Sequence, residues 1–258
     1  MKKGLGKIVS REFTTNSPYW NTDPAGKIIF PFGPSIYQTE IDDGMKNYLL
    51  DEGIKARDAD QDYREKLAGN MYFGGSYYYK QEVVKKMEYE LLLEVNNWFS
   101  GLIDNYDKFE YGEDSWASKI NRMISVYNEE TEKYDKEGEL HLESLWINFS
   151  QKYDFNPVHH HTGENSFVVY LRAPDEIFET NAVSNSKRAG QIMFSYGEGI
   201  SSLFGTEWPA RPYENLMFMF PAGLKHSASP FWIDGERISV SGNFQVRPLR
   251  HLPVGPDQ

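Results

Sequence analysis

The chain has no cysteine. Disulfides, thiolate zinc sites and cysteine nucleophiles are therefore excluded, and any metal must be held by histidine, carboxylate, carbonyl or water. Long apolar runs are missing too. No stretch reaches the roughly 18 residues from which a membrane-spanning helix is read. The opening MKKGLGKIVS has no apolar h-region, so no signal peptide is expected. Positive charge is in deficit. The net charge is −11, which disfavours nucleic acid as a partner, because such surfaces need a basic face. These absences lead to the expectation of a cytoplasmic protein with no membrane partner.

What is present fits one large domain. The 258 residues can bury a sizeable core, and 40% hydrophobic with 25% charged is ordinary globular composition. Aromatics reach 15%, with 17 Tyr, 16 Phe and 6 Trp. Aromatic-rich chains broken by Gly and Pro lean toward β architecture.

The two halves read differently. Residues 1–39 suggest irregular coil with a short strand at Lys27–Phe30, and 40–70 suggest two short helices. Asn70–Tyr79 is a Gly-broken aromatic run, read as loop or strand. Residues 82–104 form the clearest helix, because Val84, Met87, Leu91, Val95, Trp98 and Leu102 recur at spacings of three and four. A weaker helix is predicted over 115–127, and the acidic Glu129–Glu139 reads as a solvated loop. From Leu140 onward, short strand-like runs alternate with turn residues: Leu142–Ser150, Ser166–Ala173, Gln191–Tyr196, Asn215–Pro221 and Arg237–Arg247. That is the pattern of an antiparallel sandwich or barrel. The expectation is a single domain over 1–258. Residues 1–139 form a helical and irregular support region outside a barrel core at 140–248.

Three of the six histidines stand in a row in FNPVHHHTGENSFVVYL, residues 155–171. In a strand, residues two apart share a face, so His159 and His161 point one way and His160 the other. A turn of exposed histidines is the bland alternative. A third histidine, His226, follows a Pro-x-Gly turn in PAGLKH. Arg237 then opens the longest alternating strand. Ile238, Val240, Phe244 and Val246 lie on one face, and Arg237, Ser239, Ser241, Asn243 and Gln245 on the other. A polar strand face is usually solvated, yet in a barrel with a wet pocket it can line the interior. There an Arg beside a Ser would form a fork for a carboxylate.

These pieces together resemble the iron(II)- and 2-oxoglutarate-dependent oxygenases, whose fold is a double-stranded β-helix, or jelly roll. The family pattern is H-x-[D/E], a long gap, a distal His, and then an Arg followed by x-Ser. The matching residues here are His159-x-His161, His226 and Arg237-x-Ser239. Over about residues 140–248 the chain is most similar to a group of small oxygenases, some encoded by bacteriophages. That group shares W-x-N (Trp146–Asn148), N-P-x-H-x-H-x-G (Asn156–Gly163), S-F-V (Ser166–Val168) and R-x-S-x-x-x-N (Arg237–Asn243).

The resemblance implies a mainly β fold with helices packed outside, and iron(II) held by His159, His161 and His226. His161 stands where the larger family has a carboxylate, and Glu164 is the reserve ligand; Asp154 is a further carboxylate in reach of the sequence. Arg237 and Ser239 would hold 2-oxoglutarate, with Asn148, Tyr170 and Asn243 lining the pocket. With O2 the reaction would yield succinate, CO2 and a hydroxylated substrate, either a small molecule or a protein side chain. No side chain is needed as a catalytic acid or base. A phage origin would place it in the host cytoplasm. Specificity is expected from loops at the barrel mouth, residues 10–39, 174–190 and 197–213. The oligomeric state is not legible.

Two rivals come from other classes. Pro221–His226 is also half of a cupin signature, but a cupin wants a Glu three or four residues beyond H-x-H, and Glu164 comes too early. A non-enzymatic jelly-roll module, with Tyr77–Tyr79 binding sugar, is the other.

Overall fold

The computed structural model describes residues 27–29, 34–106, 125–128, 133–179, 187–197 and 205–248. In chain order the elements are β1 (Lys27–Ile29), β2 (Ile36–Glu40), α1 (Asp43–Asp58) and a 3₁₀ turn at Arg64–Lys66. Then come β3 (Gly75–Tyr78), α2 (Gln81–Tyr106), β4 (Ser125–Asn128) and β5 (Lys133–Ser150). After these follow β6 (Asn156–His159), β7 (Asn165–Arg172), a 3₁₀ turn at Asp175–Phe178, β8 (Ile192–Ser195) and β9 (Glu207–Ala210). The chain closes with β10 (Leu216–Pro221), β11 (Lys225–Ala228) and β12 (Arg237–Pro248).

The last eight strands form a double-stranded β-helix. The major sheet runs β1-β2-β10-β7-β12-β5-β3, with β4 paired to β5, and the minor sheet runs β6-β11-β8-β9. Every strand pair is antiparallel. The two sheets face each other across a cavity.

Alternation explains how one sheet serves two cores. On β7, Phe167, Val169 and Leu171 join the helices, while Val168 and Tyr170 face the barrel interior. On β10, Met217 and Met219 point to the helices and Leu216, Phe218 and Phe220 inward. Strands buried on both faces read as continuous apolar runs, as NSFVVYL and LMFMF do. On β5 and β12 the helix-facing residues are equally apolar: Leu145, Ile147 and Phe149, then Ile238, Val240 and Phe244. Their inward residues are mostly polar, with Asn148 and Ser150 beside Trp146 on β5 and Arg237, Ser239 and Ser241 on β12, and this asymmetry leaves room for a site.

The helices cover the outer face of the major sheet. All six periodic residues of α2, from Val84 to Leu102, are buried there. Helix α1 is started by Asp42, whose carboxylate accepts from the Met45 amide at 2.8 Å. It lies so close to the sheet that a Cβ on Gly53 would stand 2.3 Å from the Ile147 side chain. Tyr79, fully buried, donates to the Leu49 carbonyl at 2.7 Å.

Several sequence expectations change. The region 40–70 holds one 16-residue helix and a short 3₁₀ turn, not two helices. The acidic stretch is not all loop: β5 begins at Lys133 and pairs with β4, so it crosses residue 139 without a break. Residues 125–127 of the expected second helix belong to β4, and 115–124 lie outside the described residues. Among the described residues no helix is long and apolar enough to cross a membrane.

Candidate metal and co-substrate site

Strand register brings the histidines together. His159 ends β6 and His226 lies on β11, and the two are paired directly across the ladder. His161 follows the end of β6, where its amide donates to the Ala222 carbonyl at 2.9 Å and ties the loop to the Pro-Gly turn. Ring centroids are 4.3 Å apart for His159–His226 and 5.0 Å for His161 with each of the others. One ligand nitrogen from each lies within 4.8 Å of the other two. His160 is exposed.

The main chain fixes two tautomers. Nδ1 of His159 meets the Pro157 carbonyl at 2.7 Å, and Nδ1 of His226 meets the Leu224 carbonyl at 2.9 Å. A carbonyl can only accept, so each Nδ1 carries the proton and each Nε2 keeps its lone pair. Burial pushes the His226 pKa down to about 3, with His159 adding repulsion. Burial, then His159 and His160, takes His161 to about 4, and burial also lowers His159. The three are neutral imidazoles at neutral pH, the form that ligates a metal.

The same cavity contains Arg237, only 3% exposed. Its Nη1 donates to the Gly190 carbonyl at 2.8 Å and lies 3.4 Å from the Ser229 carbonyl. Burial lowers its pKa, while Tyr170 and Asp154 act in the opposite sense. Among the described residues no carboxylate lies within ion-pairing distance of it. A buried guanidinium held only by neutral carbonyls is well placed for an anion. Ser239 and Asn148 are paired across β12 and β5, and Tyr170 is paired with Ser239 on the other side. All three line the cavity. Burial pushes the Tyr170 pKa up to about 12, so its hydroxyl stays protonated and able to donate. The space between the two sheets holds about 640 Å³, open solvent at its mouth included.

Other expected residues fall elsewhere. Glu164 is not in the ligand cluster; burial raises its pKa, and its amide donates to the Phe244 carbonyl. Asp154 is committed to structure. Its oxygens accept from the amides of Tyr72, Phe73, Gly74 and Gln151. Asn243 does not line this cavity: it bonds Ser166 and Ser144 and borders an adjoining cleft. Of the expected mouth loops, residues 10–26, 30–33, 180–186 and 198–204 lie outside the described residues.

Sequence reasoning missed some lining. Ser241 shares the alternating face of Arg237, which was signal enough. Leu67 and Ala68 come from the support region, and nothing local marks them.

Residues 144–243 match a protein family described as "Putative 2OG-Fe(II) oxygenase". That match runs from within β5 to within β12. The description of that family names iron(II) and 2-oxoglutarate. The donor set fits both, with three neutral imidazoles for the ion and a buried guanidinium for a carboxylate. No curated protein matches the chain. Among solved structures, an oxidoreductase of the 2OG-Fe(II) oxygenase family from Burkholderia pseudomallei is 18% identical, with a TM-score of 0.32 over 42% of this chain. The chain covers only 45% of that protein's length. A Pseudomonas putida prolyl-4-hydroxylase is 15% identical, with a TM-score of 0.45 over 82% of this chain and 92% of that one. HygX from Streptomyces hygroscopicus, with nickel and 2-oxoglutarate bound, is 10% identical, with a TM-score of 0.44 over 81% and 82% of the two chains.

Proposed function

We propose that the chain is an iron(II)- and 2-oxoglutarate-dependent dioxygenase that hydroxylates a C–H bond. The observation that carries this reading is Arg237, a buried cation without a carboxylate partner among the described residues, in one cavity with three neutral histidines. His159, His161 and His226 would hold the metal. Bound iron supplies O2 activation coupled to oxidative decarboxylation of 2-oxoglutarate to succinate and CO2. Three neutral ligands leave the ion's charge uncompensated, which favours an anionic co-substrate beside it. Arg237 receives the distal carboxylate through its remaining N–H groups, with the Ser239 and Tyr170 hydroxyls as further donors. Trp146, Phe220 and Ile192 wall the cavity and limit water.

A cupin would use the same histidines but has no need of the buried Arg237. Thermal unfolding with iron(II), and then with iron(II) plus 2-oxoglutarate under nitrogen, tests the choice. Each addition should raise Tm. Arg237→Lys should keep the first increment and weaken 2-oxoglutarate about tenfold or more, because Lys loses the planar fork. No second increment in the native protein, or an unchanged one in the variant, overturns the reading.

A further inference from the structure

The polar face of β12 does not stop at the histidines. Arg237, Ser239 and Ser241 line the inner cavity, and Asn243 and Gln245 continue the row into a second, wider cleft. Trp146 and His161 border both spaces. The cleft holds about 1560 Å³, open solvent included. It therefore meets His161 on the side away from Arg237.

Its walls have a definite chemistry. Tyr63 lies 5.0 Å from Tyr78 and 6.1 Å from Trp146, and Trp146 lies 5.7 Å from His161. The tyrosine and tryptophan rings are tilted at 47° and 44°, so they make a stepped apolar wall rather than one flat stacking surface. The wall carboxylates are already neutralised: Asp62 is paired with Arg64 at 2.6 Å, and Glu143 with Arg247. Lys66 is the one wall charge without an ion pair among the described residues, and it is exposed, where water screens it. Gln61, Ser144, Thr162, Asn243 and Gln245 add polar groups that carry no charge. Asn243 accepts from Ser166 at 2.8 Å and donates one N–H to Ser144 at 3.2 Å, which leaves its second N–H for a ligand. Gln245 is exposed on the same row.

We infer that this outer cleft seats the molecule to be oxidised, and that it selects an uncharged substrate with an apolar face and amide or hydroxyl groups. The word "oxidised" rests on the oxygenase reading; the cleft's selectivity does not. The same chemistry is offered by a side chain in a polypeptide or by a free saccharide, so the test has an arm for each. The probes are N-acetyl amino-acid methylamides and methyl glycosides, with charged counterparts bearing a free carboxylate or amine. The readout is the Trp146 indole N–H in nitrogen-15 spectra of the metal-free protein, assigned through Trp146→Phe.

Uncharged probes should shift that resonance in the millimolar range, and charged counterparts should do so more weakly. Tyr63→Ala should weaken the effective probes about tenfold, as loss of one aromatic contact predicts, and Tyr63→Phe should restore them. Gln245→Arg, at an exposed position, should block them even if Tyr63→Ala does not fold. Response to the amides alone assigns a polypeptide source, and response to the glycosides alone a saccharide. The inference is overturned if no uncharged probe moves Trp146, if charged probes bind better, or if Gln245→Arg changes nothing. Tm with iron(II) plus 2-oxoglutarate under nitrogen, read on separate aliquots of the same protein, fails separately if the oxygenase reading is wrong.

Discussion

His160 is exposed beside the outer cleft, whereas His161 is half-buried with its ring 5.0 Å from both partner rings. His160→Ala should therefore leave iron binding unchanged in a titration. His161→Ala should weaken it by more than about tenfold, since even outer partners of ligands cost that much. His161→Asp should keep the ion but lose about a hundredfold in turnover, because the shorter carboxylate sits too far back. Comparing iron content with succinate release separates the two effects. Tight iron in His161→Ala together with loss in Glu164→Gln would make Glu164 the third ligand. Alternation alone separated His159 and His161 from His160 in the sequence. Whether Arg237 faced the cavity or solvent was not legible, since a polar strand face suits both until a second sheet covers it. The depressed histidine pKa values also set a pH response in the metal-free protein. Below their ordinary value of 6.5 the unfolded chain takes up protons that folded His226 and His161 refuse, down to about 3 and about 4. Stability should be full above pH 6.5 and fall as the pH drops. Glu94 and Glu164, raised by burial, act in the opposite sense above their ordinary value of 4.5. A Tm that stayed flat between pH 7 and about pH 5 would contradict neutral buried imidazoles.

The loop from β6 to β7 shows how an element holds its site. Gly163 has φ +102°, and a Cβ there would stand 2.6 Å from the Phe244 carbonyl oxygen. That carbonyl already accepts from the Glu164 amide, next to the register shift at Asn243/Phe244. Gly163→Ala should cost about 1–3 kcal/mol and, by loosening the loop that carries His161, weaken metal binding as well. Urea unfolding and an iron titration on the same variant check both; loss of stability with intact iron affinity would separate loop from ligand. The glycine stood out in the sequence as part of H-x-H-x-G, but its reason needed the partner strand. Long strands with a clear apolar face, such as Arg237–Arg247, were legible. Two of the four-residue strands were not: β9 is EWPA and β11 is KHSA, too short and too polar to show a period. The charges of Lys133–Glu139 hid the start of β5, because its apolar alternation begins only at Leu140.

At the scale of the whole molecule, α2 and the major sheet share one apolar cluster that is separate from the barrel interior. Leu91, 1% exposed in the middle of α2, touches only the former. Leu91→Ala should cost about 2–5 kcal/mol of stability while leaving the iron affinity of folded protein unchanged. A parallel loss of iron affinity would mean that the helical layer sets the site's geometry. The pairing of His159 with His226 has a further consequence, in the time domain. The two histidines are neighbours only when β6 lies against β11, and 67 positions of chain separate them. An unfolded chain offers an ion only the local run His159–His161, without His226 held beside it. Tight capture of the ion must therefore wait for a long-range strand pairing, the slow kind of folding event. Metal added during refolding should act late, slowing escape from the finished barrel rather than hastening entry into it.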